Sequence, residues 1–194
     1  MYRIVLDERE LSKRATAIRA LLRVLLQAPN QKRKGDNTTI ACQPAGTTQN
    51  YILGTFDGTK PSNSHRDWRF SSYRTGFRCM YFEEWEPENA SRKKWILQKS
   101  CFSLFRIISH LQPEKEILAI HCEPLEPDGR KHTLYKRGLH LHVSFATDPI
   151  PHAHFALNNG YLPQVMMNID SLSKALESAL LMVKEEVISH PDWK

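Results

Sequence analysis

The chain has 194 residues and a mass of 22.5 kDa, enough for one domain with a full core and too long to depend on a small disulfide-held scaffold. Apolar residues make up 41% and charged residues 25%, ordinary globular proportions that exclude a wholly disordered chain or a low-complexity fibre. Lysine and arginine number 27 against 21 aspartate and glutamate, a net charge of +6; residues 151–194 hold three basic and five acidic side chains, so the first 150 carry the whole positive excess.

Residues 1–194 read as a single α+β domain, an antiparallel β-meander flanked by an N-terminal and a C-terminal amphipathic helix. Arg3 to Leu6 suits a short strand. Leu11, Ala15, Ile18, Leu22 and Leu25 then recur at three- and four-residue steps, which predicts a helix near residues 9–28. Pro29 ends it, and the charged stretch from Asn30 to Asn37 reads as an exposed basic loop. Between Thr38 and Ser64 the short apolar runs Ile40-Ala41-Cys42 and Tyr51-Ile52-Leu53 suit either two short strands or irregular cover.

From Gly76 the texture turns to β-branched and aromatic residues at strand lengths. The expected strands are Phe77 to Trp85, Trp95 to Ile108, Glu116 to Glu123, Thr133 to Phe145 and His152 to Leu157, with short links that favour hairpins. Asp170 or Ser171 then offers an N-cap for a helix whose stripe is Leu172, Ala175, Leu176, Ala179, Leu180, Val183 and Val187.

The first residues lack the apolar run of a secretory signal, and no stretch of about 18 apolar residues suggests a membrane span. Cys42, Cys79, Cys101 and Cys122 form no C-x-x-C pair and read as reduced, packed thiols. A cytoplasmic protein is the expectation.

Six of the nine histidines, His121, His132, His140, His142, His152 and His154, fall within 34 residues, four of them in two H-x-H pairs. In Leu139-His140-Leu141-His142-Val143 the odd positions are apolar, so period-two geometry puts both imidazoles on the face away from the core. His152-Ala153-His154-Phe155 repeats that parity. Pairing Leu141 with Phe155 sets His142 opposite His154. His140, His142, His152 and His154 are therefore the candidate ligands for a divalent metal, zinc or manganese. Such a cation would acidify bound water or polarise a phosphoryl oxygen, with Asp148 or Glu123 nearby to assist. His121 could extend the same face, but its parity relative to the hairpin is open.

The sequence contains no H-E-x-x-H, and no H-x-E followed by P-C-x-x-C. The H-x-H-P of the JAMM deubiquitinases is matched except that Val143 takes the place of proline, and the downstream Ser and Asp are displaced. Gly138 to Phe145 resembles the H-x-H strand of the plant and prokaryote conserved domain found in AT-hook proteins, although Pro151 precedes His152 where that family has Gly-Gly.

A second cue is cationic. Between Lys60 and Arg106 lie ten basic and five acidic residues, with ten of the chain's 18 aromatics interleaved as Trp68-Arg69-Phe70, Tyr73-Arg74 and Phe77-Arg78. Phosphates need cations and unstacked bases need flat faces, so the alternation suits nucleic acid, and strand packing produces the same alternation. Arg66, Arg69, Arg74, Arg78, Lys93, Lys94, Lys131 and Arg137 are the candidate contacts. With no recognition helix, P-loop or nucleophile motif, binding would be electrostatic and not sequence-specific. The leading expectation is a basic, non-catalytic subunit that contacts nucleic acid or an acidic partner, as part of a larger assembly or a homo-oligomer. A metal-dependent hydrolase or nuclease built on the histidines is the alternative, and a protein–protein adaptor the third.

Overall fold

A computed structural model describes residues 3–26, 38–45, 50–57, 77–91, 93–106, 115–125, 137–143, 153–157 and 168–189. Its elements are β1 (Val5–Asp7), α1 (Glu8–Leu26), β2 (Thr38–Pro44), β3 (Tyr51–Asp57), β4 (Phe77–Pro87), β5 (Lys94–Arg106), β6 (Lys115–Cys122), β7 (His140–Val143), β8 (Ala153–Ala156) and α2 (Ile169–Met182). A π-helical turn, Val183–Ile188, extends α2. Among the described residues no helix is long and apolar enough to cross a membrane.

The sheet runs β2-β3-β4-β5-β6-β7-β8, every neighbouring pair antiparallel, and β1 lies beside β5. This is the α+β meander expected from the alternation, with both segments between Thr38 and Asp57 forming true strands. The long strand β5 organises the sheet. One edge takes β4 along its whole length, while the other takes β1 at residues 94–96 and β6 at residues 100–106.

Asp7 turns β1 directly into α1. Its Oδ1 accepts from Glu10 N while Glu10 Oε2 accepts from Asp7 N, both at 2.8 Å, a reciprocal cap that satisfies two helix-end donors. At α2 the cap is Asn168 rather than Asp170 or Ser171. Asn168 Oδ1 accepts from Ser171 N at 2.9 Å and from Ser171 Oγ at 2.8 Å, and Asp170 falls inside the first turn. An asparagine oxygen reaches the third amide from the extended conformation that Asn168 adopts.

The two sheet faces are chemically different. On one, Leu53, Cys79, Tyr81, Trp85, Leu97, Phe102, Leu104, Ile120 and Leu139 pack with the stripes of α1 and α2 into the main core. The opposite face carries a smaller apolar cluster, Ile52 and Phe56 with Met80 and Phe82, at the β3–β4 end. Farther across the same face lie Cys101 and Ser103 of β5, then the histidines of β6 and β7.

Within the main core a charged pair is sealed between helix and sheet. Arg14 Nη2 of α1 lies 2.6 Å from Glu83 Oε1 of β4, with side chains 3% and 0% exposed. Every group has a partner: Arg14 Nε donates to both Glu83 oxygens, Tyr81 OH donates to Oε1, Trp85 Nε1 donates to Oε2, and Arg14 Nη1 donates to Ser173 Oγ of α2. Facing Glu83 raises the Arg14 pKa against the cost of burial, and burial beside the same carboxylate raises that of Tyr81, so one stays charged and the other neutral.

All four cysteines are free thiols. Burial pushes Cys42, Cys79 and Cys101 up from an ordinary value near 9 to about 12, and Cys122 higher still. Folded thiols thus keep their protons where unfolded ones lose them. Between about pH 9 and 12 the folded state binds more protons, and stability falls as pH rises through that window. The expected result is alkaline unfolding above pH 9 and, at pH 8, reaction of at most the half-buried Cys42 with a thiol reagent until denaturant exposes the three buried thiols. Rapid labelling of Cys79 or Cys122 in the native protein would contradict this packing.

Candidate metal centre

The histidine register follows from strand pairing. β7 lies antiparallel to β8 with Leu141 opposite Phe155 and His142 opposite His154, as the repeated H-x-H parity predicts. Leu139 and Leu141 join the helix-covered core while His140 and His142 take the other face. On β6 the partner of His140 is His121, and the partner of His142 is Ala119. The parity of His121 is thereby settled: it stands on the histidine face directly beside His140.

Two points differ from expectation. Of the strand expected from Thr133 to Phe145, His140–Val143 is observed, Arg137 and Gly138 form a bend instead, and residues 133–136 and 144–145 lie outside the described residues. The bend has a use, since Gly138 O lies 3.0 Å from His140 Nδ1. That face is also not open to solvent at this point, as His140 is 0% exposed and its neighbours Ala119 and Cys101 are buried.

One ring nitrogen from each of His121, His140 and His142 converges, all within 4.8 Å of one another. The ring centroids of His121 and His142 are 4.1 Å apart, those of His140 and His142 4.9 Å, and those of His121 and His140 5.7 Å. A carbonyl only accepts, so Nδ1 of His140 carries the proton and its Nε2 holds the lone pair. This is the arrangement that orients a metal-ligating imidazole. Nε2 of His140 and Nε2 of His142 are both buried and make no hydrogen bond among the described residues, while each ring has further interactions. Zinc with nitrogens at about 2.0 to 2.1 Å in a tetrahedron spaces them about 3.3 Å apart, so modest ring rotations complete the set.

Of the four histidines singled out by sequence, His140 and His142 are brought together. His154 occupies the register position opposite His142 on β8, and His152 lies outside the described residues. His121 is the member of the convergent group that sequence did not select. Its signal was the six-histidine clustering, but its place depends on the β6–β7 register across seventeen intervening residues.

Of the cationic candidates, Arg78, Lys93, Lys94 and Arg137 are among the described residues. Lys93 and Lys94 are exposed at the β4–β5 turn. Arg137 is half-buried, and its carbonyl accepts from Cys122 Sγ at 3.5 Å. Arg78 lies on β4 opposite Phe105. Arg66, Arg69, Arg74 and Lys131, together with the basic loop of residues 30–37, lie outside the described residues.

A different ion pair borders the histidines. Lys99, two residues before Cys101 on β5, meets Glu123, two residues after His121, with Nζ 3.0 Å from Oε1. Their side chains are 32% and 20% exposed, so the histidine face opens toward solvent on this side. Comparison of the chain with protein-family models, with curated proteins and with solved structures finds no match.

Proposed function

We propose that this protein binds a divalent transition metal through His121, His140 and His142 and uses it as the Lewis-acid centre of a hydrolase. The observation that carries the reading is the convergence of three imidazole nitrogens from adjacent strands, one of them oriented by a backbone carbonyl. Imidazole suits zinc, and three protein ligands leave a fourth position for water, the stoichiometry of catalytic rather than structural zinc sites. A cation there lowers the pKa of bound water and polarises a phosphoryl or carbonyl oxygen. His121, His140 and His142 would hold that cation, and the chemistry it would supply is Lewis-acid activation of a water and of the oxygen it polarises.

The nucleic-acid reading takes second place, because its support among the described residues is limited to the exposed Lys93 and Lys94. Elemental mass spectrometry on untagged protein tests the metal reading. About one zinc or manganese per chain is expected, lost in the variant carrying His121→Ala and His142→Ala. Wild-type protein that holds no metal and takes none up on titration would exclude it.

A further inference from the structure

The strand that carries His121 has an irregularity three residues before it reaches the histidines. Across β5 and β6, Leu104 faces Leu118 but Phe105 faces Glu116, so Ile117 is an extra residue and forms a β-bulge. Ile117 packs with Leu118 against the main core, and two successive side chains therefore turn to the helix side. Glu116 falls on the opposite face, in line with Ala119 and His121. Unbroken alternation would have turned its carboxylate into the apolar core and Ile117 onto the histidine face. Bulges re-aim side chains in this way, and they are frequent beside active sites.

From these observations we infer that Glu116 is the proton acceptor of the hydrolytic site, the residue that deprotonates the attacking water. The inference rests on the metal centre proposed above and adds a catalytic residue to it. Along that face of β6 the residue between Glu116 and His121 is Ala119, whose side chain is a methyl group and whose partner on β7 is His142. The row of Phe105 and Glu116 stands two residues along β5 from the row of Ser103 and Ala119, about 7 Å, which a glutamate side chain and one water molecule span. Burial first, and then Glu116 and Glu123, raise the Cys101 thiol against the opposing pull of Ser103 and Lys99, so the charge of Glu116 reaches the residue opposite His121. Glu116 is half-buried and makes no hydrogen bond or ion pair among the described residues, whereas Glu123 is held by Lys99 at 3.0 Å. Asp148 lies outside the described residues. In the reaction a water O–H bond breaks and the proton passes to the Glu116 carboxylate while the water oxygen bonds to the acyl carbon or phosphorus. The bond to the leaving oxygen then breaks, and Glu116 hands the proton to that oxygen, or to solvent where it departs as a stable anion.

Zinc-loaded protein is assayed on 4-nitrophenyl acetate and bis(4-nitrophenyl) phosphate, with the rate of the metal-free protein subtracted. Glu116→Gln should lower the zinc-dependent kcat by about a hundredfold, the scale of a lost general base, with KM and zinc uptake unchanged. Glu116→Ala should fall as far and, relative to wild type, recover about tenfold on adding formate, a small carboxylate that fits the vacated space. Glu116→Gln fills that space and should not recover. Glu84→Gln removes a carboxylate of the same face, opposite Lys99, and should leave kcat unchanged. A fall of less than about tenfold in Glu116→Gln, no formate rescue of Glu116→Ala, an equal fall in Glu84→Gln, or weaker zinc uptake in Glu116→Gln overturns the inference and leaves the metal centre intact. Wild-type protein that takes up zinc and hydrolyses neither probe removes it together with the hydrolase reading, and failure to take up zinc removes the metal centre as well.

Discussion

Replacing Arg14 by methionine lowers the melting temperature by about 10 to 15 °C. The substitution leaves Glu83 buried at 0% exposure with its principal counter-charge gone. Removing one partner of a buried pair costs about 3 to 5 kcal/mol, because the remaining charge must be desolvated alone. A chain of this size loses about 2 to 4 °C per kcal/mol. Tyr81 and Trp85 still donate to Glu83, which moderates the loss without replacing the cation. The companion variant decides the cause. Arg14→Met combined with Glu83→Leu removes both charges and should recover most of the stability, since an apolar pair of similar volume often matches or exceeds a buried ion pair. Thermal melts followed by circular dichroism check both. A double variant no more stable than Arg14→Met would place the cost in lost packing of the arginine stem rather than in the orphaned carboxylate.

Zinc at a hundred times its dissociation constant raises the melting temperature by about 5 to 10 °C. A ligand that binds only the folded chain stabilises it by about 2.7 kcal/mol at that ratio. The effect should be concentrated where the sheet is weakest. β7 and β8 have four residues each, and the metal would tie β7 to β6 through His140, His142 and His121. Hydrogen exchange at Leu141 and Val143 should slow on adding zinc, with little change in β4. His121→Ala, which alters a half-buried side chain and leaves the enclosed His140 in place, should abolish the shift. A shift that survives in that variant would locate the metal elsewhere on the chain.

Much of the architecture follows from short-range pattern. The α1 stripe, the alternation in β4 and the α2 stripe each lie within one element, where neighbouring side chains alone decide which face is apolar. The H-x-H repeat worked in the same way. Odd-numbered leucines turned to the core put His140 and His142 on the far face, and the same parity placed His154 opposite His142.

The buried pair was less visible although its traces were present. In Phe77, Cys79, Tyr81, Glu83 and Trp85 a carboxylate interrupts the core-facing parity, and Arg14 sits three residues after Leu11 and four before Ile18, on the apolar stripe of α1. A charge at a core position calls for an opposite charge. Nothing local specifies that the partner stands 69 residues away.

What the sequence determined by itself is therefore the kind of each element and the face each side chain takes, because both depend on backbone periods of 3.6 and 2 residues. Only the tertiary structure decided which faces meet. His121 joins His140 because β6 and β7 pair in one register of several that an intervening seventeen-residue segment allows. Shifting that register by one residue would turn His121 to the helix side and dissolve the triad. The same distinction applies to burial: alternation sent His140 away from the main core, and the assembled protein encloses it all the same. Periodicity assigns a side chain to a face, and long-range packing determines what that face becomes.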